Sequence, residues 1–172
     1  MVPEAPMQET EHGLAPGGEG WFVLNAKEGR WRHREGRGDS ITFTGSTDFE
    51  AENWFPQLGV NLNVLAPGEP MAMYHWEADQ EAYFVLAGEA LLLVEGQERP
   101  LRQWDYFHSP PGTNHMIVGA GDGPCVFIAI GSREHMATPE WGGYTVDEVA
   151  LRHDAGVEKE TTDADEAYAR FP

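Results

Sequence analysis

The sequence predicts an all-β fold, an antiparallel sandwich or barrel, because short strand-like runs recur along most of the chain. These runs are rich in β-branched and aromatic residues, and turn residues separate them at intervals of roughly 8 to 12 positions. No helical periodicity intervenes between them, which argues against parallel strands joined by helices. A chain of 172 residues suits one domain. We therefore expect a single β domain with terminal extensions.

The β domain is predicted to span residues 21–132, beginning with the run WFVLN. In VNLNVLAPG, which starts at Val60, apolar residues alternate with asparagines, as on a strand whose two faces differ. The runs EAYFVLAG and EALLLVEG meet at Gly88-Glu89, which predicts a hairpin. Cys125, in the run PCVFIAIG, is the single cysteine of the chain. It excludes an intrachain disulfide and is predicted to fill the core.

Both ends of the chain differ from this pattern. Residues 1–20 are rich in Gly, Pro and Glu, which predicts a disordered N-terminal arm. Residues 133–172 predict a C-terminal extension with short helices. There, Asp163 followed three residues later by Glu166 resembles a helix-capping box, with apolar residues following at helical spacing. This extension is expected to pack on the outside of the β domain or on a second subunit.

The charge of the chain limits its partners. The formal net charge is −18, which argues against nucleic acid, because binding to phosphates depends on Lys and Arg. It also argues against anionic membrane surfaces, and no apolar run reaches the length of a membrane span. The N-terminus lacks the basic and apolar regions of a secretory signal. The expected compartment is cytoplasmic.

One segment of this acidic chain is basic. Arginines stand at positions 30, 32, 34 and 37, which is four of the nine in the chain. The segment fits a solvated loop, a site for an anionic ligand, or a contact with an acidic face of a partner subunit. Its role would depend on whether it closes over the mouth of the barrel.

A cluster of potential metal ligands lies in the middle of the chain. Residues two apart on a strand share a face, so His75 and Glu77 are expected to point together. Glu81 begins the next strand, and hairpin pairing would bring it close to both. His115, after a Pro-Pro-Gly turn, is the natural fourth donor. The residues alone leave two readings open: a metal site, or polar residues at the rim of a sheet.

These positions resemble the two-part sequence signature of the cupin superfamily. In the first part, Glu81 and Gly88 have the expected spacing, and the two histidine positions fall on His75 and Glu77. In the second part, the matching residues are Pro110, Gly112 and His115, with Asp105 where an acid is common. The chain departs from the pattern at three places, with Glu77 in place of a histidine, Trp104 in place of a glycine and Gly119 in place of an asparagine. The resemblance covers roughly residues 58–132. The sequence of this region is similar to those of small bacterial cupin-domain proteins.

This resemblance implies a double-stranded β-helix, the jelly-roll barrel of cupins, with a small-molecule pocket inside and a homodimer as the expected assembly. It also implies a divalent metal, usually held by three histidines and one glutamate. Carried over to this chain, the ligands are His75, Glu77, Glu81 and His115. Two imidazoles and two carboxylates suit Zn, Mn, Fe or Ni, and the set does not select among them.

Two functions follow from the resemblance. The first is a metal-dependent enzyme, an isomerase, lyase or dioxygenase, acting on a small polar substrate such as a sugar, a keto acid or a phenolic. In it, Glu77 or His108 would accept a proton, and Tyr83 would place a hydroxyl in the pocket. The alternative is a non-catalytic cupin that binds a small molecule, with a degenerate or purely structural metal site. A third reading, an interaction module, would require a barrel filled with side chains.

Overall fold

The computed structural model describes residues 2–17, 20–44, 57–136 and 138–171, and its two main sheets confirm the predicted jelly-roll barrel. The strands are β1 (Met7–Thr10), β2 (Gly13–Pro16), β3 (Arg32–His33), β4 (Asp39–Thr44), β5 (Leu58–Leu65), β6 (His75–Glu77), β7 (Glu81–Ala87), β8 (Glu89–Val94), β9 (Gln97–Arg102), β10 (Tyr106–Ser109), β11 (His115–Ala120), β12 (Cys125–Ser132) and β13 (Gly142–Tyr144). Two short helices follow, α1 (Glu148–Arg152) and α2 (Ala164–Ala167). No helix within the described ranges is long and apolar enough to cross a membrane.

The strands form two antiparallel sheets and a separate hairpin. One sheet has six strands in the order β10-β7-β12-β5-β4-β3, and the other has five in the order β13-β6-β11-β8-β9. Strands β7 and β8 therefore belong to different sheets, and the connection at Gly88 is not the hairpin that the sequence predicts. Gly88 has φ +74°, and a Cβ there would overlap the carbonyl oxygen of Pro124. The turn needs glycine because it carries the chain from one sheet to the other against a neighbouring backbone.

The main core lies between the two sheets. Tyr83, Val85 and Phe127 from the six-stranded sheet pack with Leu92 and Ile117 from the five-stranded sheet, all fully or nearly fully buried. Apolar burial of this kind is the main stabilising contribution to a β barrel of this size. The predicted core position of Cys125 is confirmed, since its side chain is buried in the same cluster.

The burial of Cys125 has a measurable consequence, because burial raises the pKa of its thiol to about 11. The thiolate is the reactive form, so the folded protein should not be alkylated by iodoacetamide at about pH 8, near the pKa of an exposed thiol. Intact mass after incubation should show one added carbamidomethyl group only when the protein is unfolded in urea. Rapid alkylation of the folded chain would contradict the buried position.

Strand β5 presents its polar face to the interior. Asn61 pairs with Ala129, and Asn63 pairs with Phe127, so both asparagines share the face of residues that point into the barrel. Asn63 is only 2% exposed. At the end of the same face, Gly59 pairs with Gly131. Because neither residue has a side chain, the barrel interior is less filled at that level. The interior therefore combines an apolar core with a polar, partly open end.

The termini add two features. The sequence predicts disorder for residues 1–20, whereas strands β1 and β2 within this range form a hairpin. The turn at residues 11 and 12 allows this pairing, and the buried Ala5 and Ala15 give the hairpin a packed side. At the other end, Asp163 caps α2 as expected, its carboxylate accepting a hydrogen bond from the backbone N–H of Asp165. The C-terminal extension packs on the five-stranded sheet through Tyr168, whose neighbours include Met73 and Tyr144.

Candidate metal centre and adjoining cavity

The four predicted ligands come from three strands. His75 and Glu77 are the first and last residues of β6, and His115, the first residue of β11, is paired with His75 in the same sheet. Glu81 begins β7 in the opposite sheet. The hairpin pairing expected between Glu81 and the His75 strand is therefore wrong. The two sheets bring these side chains together by facing each other across the barrel.

The side chains converge inside the barrel. The Nε2 atom of His115 lies 3.2 Å from Oε2 of Glu81, and Nε2 of His75 lies 3.6 Å from Oε1 of Glu77. One donor atom from each of His75, Glu77 and Glu81 lies within 4.8 Å of the others. The two imidazole rings are 5.4 Å apart, measured between their centroids. Atoms at these separations surround a volume the size of one metal ion.

Backbone carbonyls orient both imidazoles. Nδ1 of His75 lies 2.7 Å from the carbonyl oxygen of Met73, and Nδ1 of His115 lies 2.9 Å from that of Thr113. A carbonyl oxygen can only accept, so Nδ1 carries a hydrogen in each ring. Each Nε2 is then the nitrogen that faces the cluster. Such a hydrogen bond from the far side of the ring is the usual support of a metal-binding histidine.

Tyr83 lies inside the cluster as a hydrogen-bond donor. Its hydroxyl donates to Oε1 of Glu81 at 3.1 Å and lies 2.9 Å from Nε2 of His115. Burial and the negative charges of Glu81 and Glu77 raise the pKa of Tyr83 well above its ordinary value. The hydroxyl therefore stays protonated at neutral pH, so it can hold Glu81 in place but cannot serve as a base there.

The charges of the cluster support one another. Burial alone would lower the pKa of His75, but its hydrogen bond to Glu77 and the charge of Glu81 outweigh that effect and raise it. Burial would also raise the pKa of Glu81, but its contact with His115 and the charge of His75 lower it below the usual value. The cluster is thus a buried site that favours the ionised form of Glu81, which binding of a cation requires.

One atom tests whether the residues fit a metal. Oε2 of Glu81 is buried, and no hydrogen bond of acceptable geometry reaches it from the described residues, although Nε2 of His115 is close. A buried carboxylate oxygen without a donor is costly. With Nε2 of His115 at 3.2 Å and His75 in the same group of potential ligands, this oxygen has the surroundings of a metal ligand. The residues therefore fit a divalent transition ion.

A cavity of about 350 Å³ opens beside the cluster. Its wall includes His75, Glu77 and Glu81, together with Ala129 and Gly131 of β12. The volume lies in the range of small-molecule pockets, and its lining mixes apolar and charged groups. A small ligand in this cavity would therefore contact the candidate metal ligands directly.

The comparisons with known proteins agree with this geometry. Residues 61–131 match the family model described as the cupin domain, and the structure of an RmlC-like cupin from Shewanella frigidimarina, 16% identical, shares the fold with a TM-score of 0.53 over 64% of this chain and 88% of the other. The chain contains a cupin domain. The match to the family model includes all four candidate ligands and the strands that carry them, and it ends before Arg133.

Individual relatives are distant. An oxalate-binding protein of Thermotoga maritima is 27% identical over 66 residues, which is 38% of this cupin and 54% of that protein, so the match spans about half of the relative. A structure described as a putative sugar phosphate isomerase from Acidithiobacillus ferrooxidans is 24% identical, with a TM-score of 0.51 over 64% of this chain and 74% of the other. KdgF from Halomonas sp. is 20% identical, with a TM-score of 0.52 over 64% and 93%. The two structures show a shared fold.

His108 does not belong to the site. It is exposed on β10, where it pairs with Ala82, whereas its neighbour Phe107 pairs with Tyr83 on the inner face. Successive residues of a strand point to opposite faces, so the register that places Phe107 beside Tyr83 turns His108 outward. The prediction of His108 as a proton acceptor is corrected by this placement.

Several residues of the cavity were missed by the sequence analysis. Arg133 lies just after β12, and its Nη1 atom is 3.8 Å from Oε2 of Glu77. Trp141, Tyr144 and Tyr168, all in the C-terminal extension, also line the cavity. The aromatic residues of the segment WGGY were the available signal, but nothing in their spacing shows that the extension folds back over the open end of the barrel.

A second group of potential ligands is Asp79, Glu134 and His135. Here Asp79 accepts hydrogen bonds from the backbone N–H of His135 and from its Nδ1, each at 2.9 Å. The Asp79 carboxylate thereby fixes both the backbone and the ring of His135. This pair joins the loop after β12 to the turn between β6 and β7. That structural role is sufficient to explain it.

The pair predicts a pH effect. The hydrogen bond to Asp79 raises the pKa of His135 above its ordinary value of 6.5. A raised histidine pKa stabilises the fold fully at pH values below the unfolded pKa, and this stabilisation is lost as the pH rises through the folded value. An NMR titration should show the His135 pKa above that of an exposed histidine and lowered in Asp79→Asn. An unchanged titration in the variant would mean that the pair does not form in solution.

Proposed function

We propose that this cupin binds one divalent transition ion, Zn, Mn, Fe or Ni, through His75, Glu81 and His115, with Glu77 as the fourth ligand. The observation that carries the proposal is the buried Oε2 of Glu81, which lacks a hydrogen bond from the described residues and lies 3.2 Å from Nε2 of His115. Two imidazoles and two carboxylates are a common donor set for these ions.

We propose that the ligand is a small polar molecule, such as a sugar, a keto acid or a phenolic, bound in the cavity beside the cluster. The bound ion would supply Lewis-acid chemistry at a carbonyl or enolate oxygen or, if it is iron, a site for dioxygen. The charged side chains in the mixed lining of the cavity, together with its size, support this class of ligand. The relative named as an oxalate-binding protein also supports a small polar ligand.

Glu77 is the residue best placed to move a proton. It is only partly buried, and one of its oxygens faces His75 while the other faces Arg133. Arg133 would hold the carboxylate in place beside the cavity, where it can accept a proton from a bound substrate. Tyr83 would hold Glu81 through its hydroxyl, and the aromatic side chains of Trp141 and Tyr144 would limit the access of water.

The first experiment is elemental analysis by plasma mass spectrometry on tag-free protein. The parent should carry close to one equivalent of a transition metal, and the His75→Ala/His115→Ala variant should carry none. The matched control is His108→Ala, which removes an exposed imidazole outside the site and should leave the metal content unchanged. The identity of the metal then selects redox assays for iron, or isomerase and lyase assays for zinc or manganese.

The alternative is a non-catalytic cupin that binds its ligand without a functional metal. A parent that carries no metal, and takes none up when incubated with Zn²⁺, Mn²⁺, Fe²⁺ or Ni²⁺, would reject the metal site and leave a ligand-binding barrel. A tightly held metal with no turnover on any of the substrate classes above would indicate a structural or binding role. The predicted homodimer stays a prediction, and light scattering on the purified protein tests it.

A further inference from the structure

A second cavity, of about 250 Å³, adjoins the one beside the candidate metal ligands. Its wall contains four arginines, namely Arg30, Arg32, Arg34 and Arg133. Asn61, Glu77 and Arg133 line both cavities, so the two form one continuous space. We call this second space the arginine cavity.

The arginine-rich segment, whose role the sequence left open, forms part of the wall of the arginine cavity. Strand β3 pairs with β4, and β4 pairs with β5, so the edge of the six-stranded sheet carries Arg32 next to Ser40 and Ser40 next to Asn63. These three side chains share the inward face of that sheet. The sheet register thereby places the arginine-rich segment against the open end of the barrel, with Arg32 also exposed to solvent.

Several buried donors in this cavity lack a partner. The Nε and Nη2 atoms of Arg34, the Nε atom of Arg133 and the Nδ2 atom of Asn63 are buried without a hydrogen-bond acceptor among the described residues. The Arg133 side chain is only 10% exposed. Burying an ionised guanidinium without an acceptor is costly, so such groups are normally paired.

The local charge is strongly positive in an otherwise acidic protein. Four arginines face one carboxylate, Glu77, in the lining of this cavity. Burial, followed by the neighbouring charge of Arg37, lowers the pKa of Arg34 to about 10, so it remains charged at neutral pH. Arg37 itself lies over the ring of Tyr168, 4.2 Å from its centroid, and is thereby held beside the cavity.

The backbone makes room for this arrangement. A Cβ on Gly59 would overlap the guanidinium group of Arg133. The absence of a side chain at this position therefore lets Arg133 fold back over β5 into the space between the two cavities. An alanine there would displace the guanidinium without changing the charge of the protein.

From these observations we propose that the arginine cavity binds an oxyanion group, a carboxylate or a phosphate, of the same small molecule whose other end reaches the candidate metal ligands. Guanidinium groups bind both oxyanions with paired, charge-assisted hydrogen bonds, which would satisfy the donors of Arg34 and Arg133. The substrate class is then a small organic acid or a phosphate ester. This inference rests on the proposed function for the location of the other end of the ligand.

The test is calorimetric titration of the full chain, freed of metal with EDTA, with inorganic phosphate and separately with malonate. Arg34→Gln should weaken binding of the preferred anion by at least about tenfold, since it removes charged hydrogen bonds. The control, Arg102→Gln, makes the same charge change at an exposed position on β9 and should leave affinity within about twofold. Tighter binding of phosphate would indicate a phosphate ester, and tighter binding of malonate an organic acid.

A second variant keeps the test decisive if Arg34→Gln fails to fold. Gly59→Ala displaces Arg133 at constant charge and should also weaken anion binding. Failure of the parent to bind either anion, or equal weakening by Arg34→Gln and Arg102→Gln, would overturn the inference. Because the protein is free of metal, the His75→Ala/His115→Ala variant should still bind the anion, so loss of the metal site and loss of the anion site give different results.

Discussion

Glu81→Gln should reduce the affinity of the protein for Zn²⁺ by more than about 100-fold, the upper end of what is lost when only a supporting residue around a metal is removed. The substitution preserves the shape of the side chain and an acceptor for the Tyr83 hydroxyl, but it removes the negative charge that lies 3.2 Å from Nε2 of His115. An amide oxygen is a much weaker ligand than a carboxylate for a transition ion. Competition titration with a chromophoric chelator measures the affinity.

The matched control is Glu140→Gln, which removes one carboxylate from an exposed loop and should leave the affinity for Zn²⁺ unchanged. Thermal unfolding of both metal-free variants establishes that each is folded. In the parent, Zn²⁺ at a hundred times its dissociation constant should add about 2.7 kcal/mol to the free energy of unfolding. Equal affinity in parent and Glu81→Gln would show that Glu81 is not a metal ligand.

Phe127→Ala should lower the free energy of unfolding by about 3–5 kcal/mol. Phe127 is fully buried between the two sheets, its ring centroid lies 6.3 Å from that of Tyr83, and it pairs with Val85 and Asn63 on the neighbouring strands. Alanine would remove the ring and leave a cavity that paired strands cannot collapse to fill. Urea unfolding of the metal-free protein, followed by tryptophan fluorescence, measures the change.

Ile128→Ala is the comparison for this prediction. Ile128 is the next residue of β12 and points to the other face of the sheet, where it is only half-buried. Ile128→Ala should lower the free energy of unfolding by clearly less than Phe127→Ala does. The dependence of this free energy on urea concentration should be unchanged in both variants. Similar losses at the two positions would mean that the barrel interior is not the main core.

The sequence could predict the candidate metal ligands because two of them depend on strand alternation alone. His75 and Glu77 lie two apart on one strand, and the structure places them 3.6 Å apart on the same face. The way in which Glu81 joins them was not predictable in the same manner. A short turn between two strands can form a hairpin or lead to the opposite sheet, and the local residues are alike in both cases. Only the pairing of β6 with β11 and of β7 with β12 decides between them.

His108 shows that closeness in sequence does not predict which face of a sheet a side chain occupies. It lies close to His115 in sequence, but β10 pairs with β7 in a register that turns His108 outward. The asparagines of β5 show a second limit. Their alternation with Val and Leu was visible, but hydrophobic patterning gives no reason for the polar face to be the inward one. In this structure the asparagines face inward, where they line the arginine cavity.

The arginine cavity and the aromatic side chains of the C-terminal extension depend on contacts between distant parts of the chain. Arg34 and Arg133 are almost a hundred positions apart, and they line one cavity because β4 and β12 flank β5 in the sheet. Such long-range register leaves no local signal in a single sequence. The fold class and the candidate ligands were thus accessible from the sequence, whereas the walls of the cavity were not.

The small residues of β12 beside Glu81 suggest a way to alter selectivity. A Cβ on Gly131 would lie 3.5 Å from Cγ of Glu81 and 3.4 Å from Nη1 of Arg133, so an alanine fits there in ordinary contact. Larger side chains at Gly131 or Ala129 would project into the cavity without replacing any donor atom. A graded series of larger side chains at these two positions is therefore expected to shorten the ligands that the cavity admits while the donor atoms of the site stay the same.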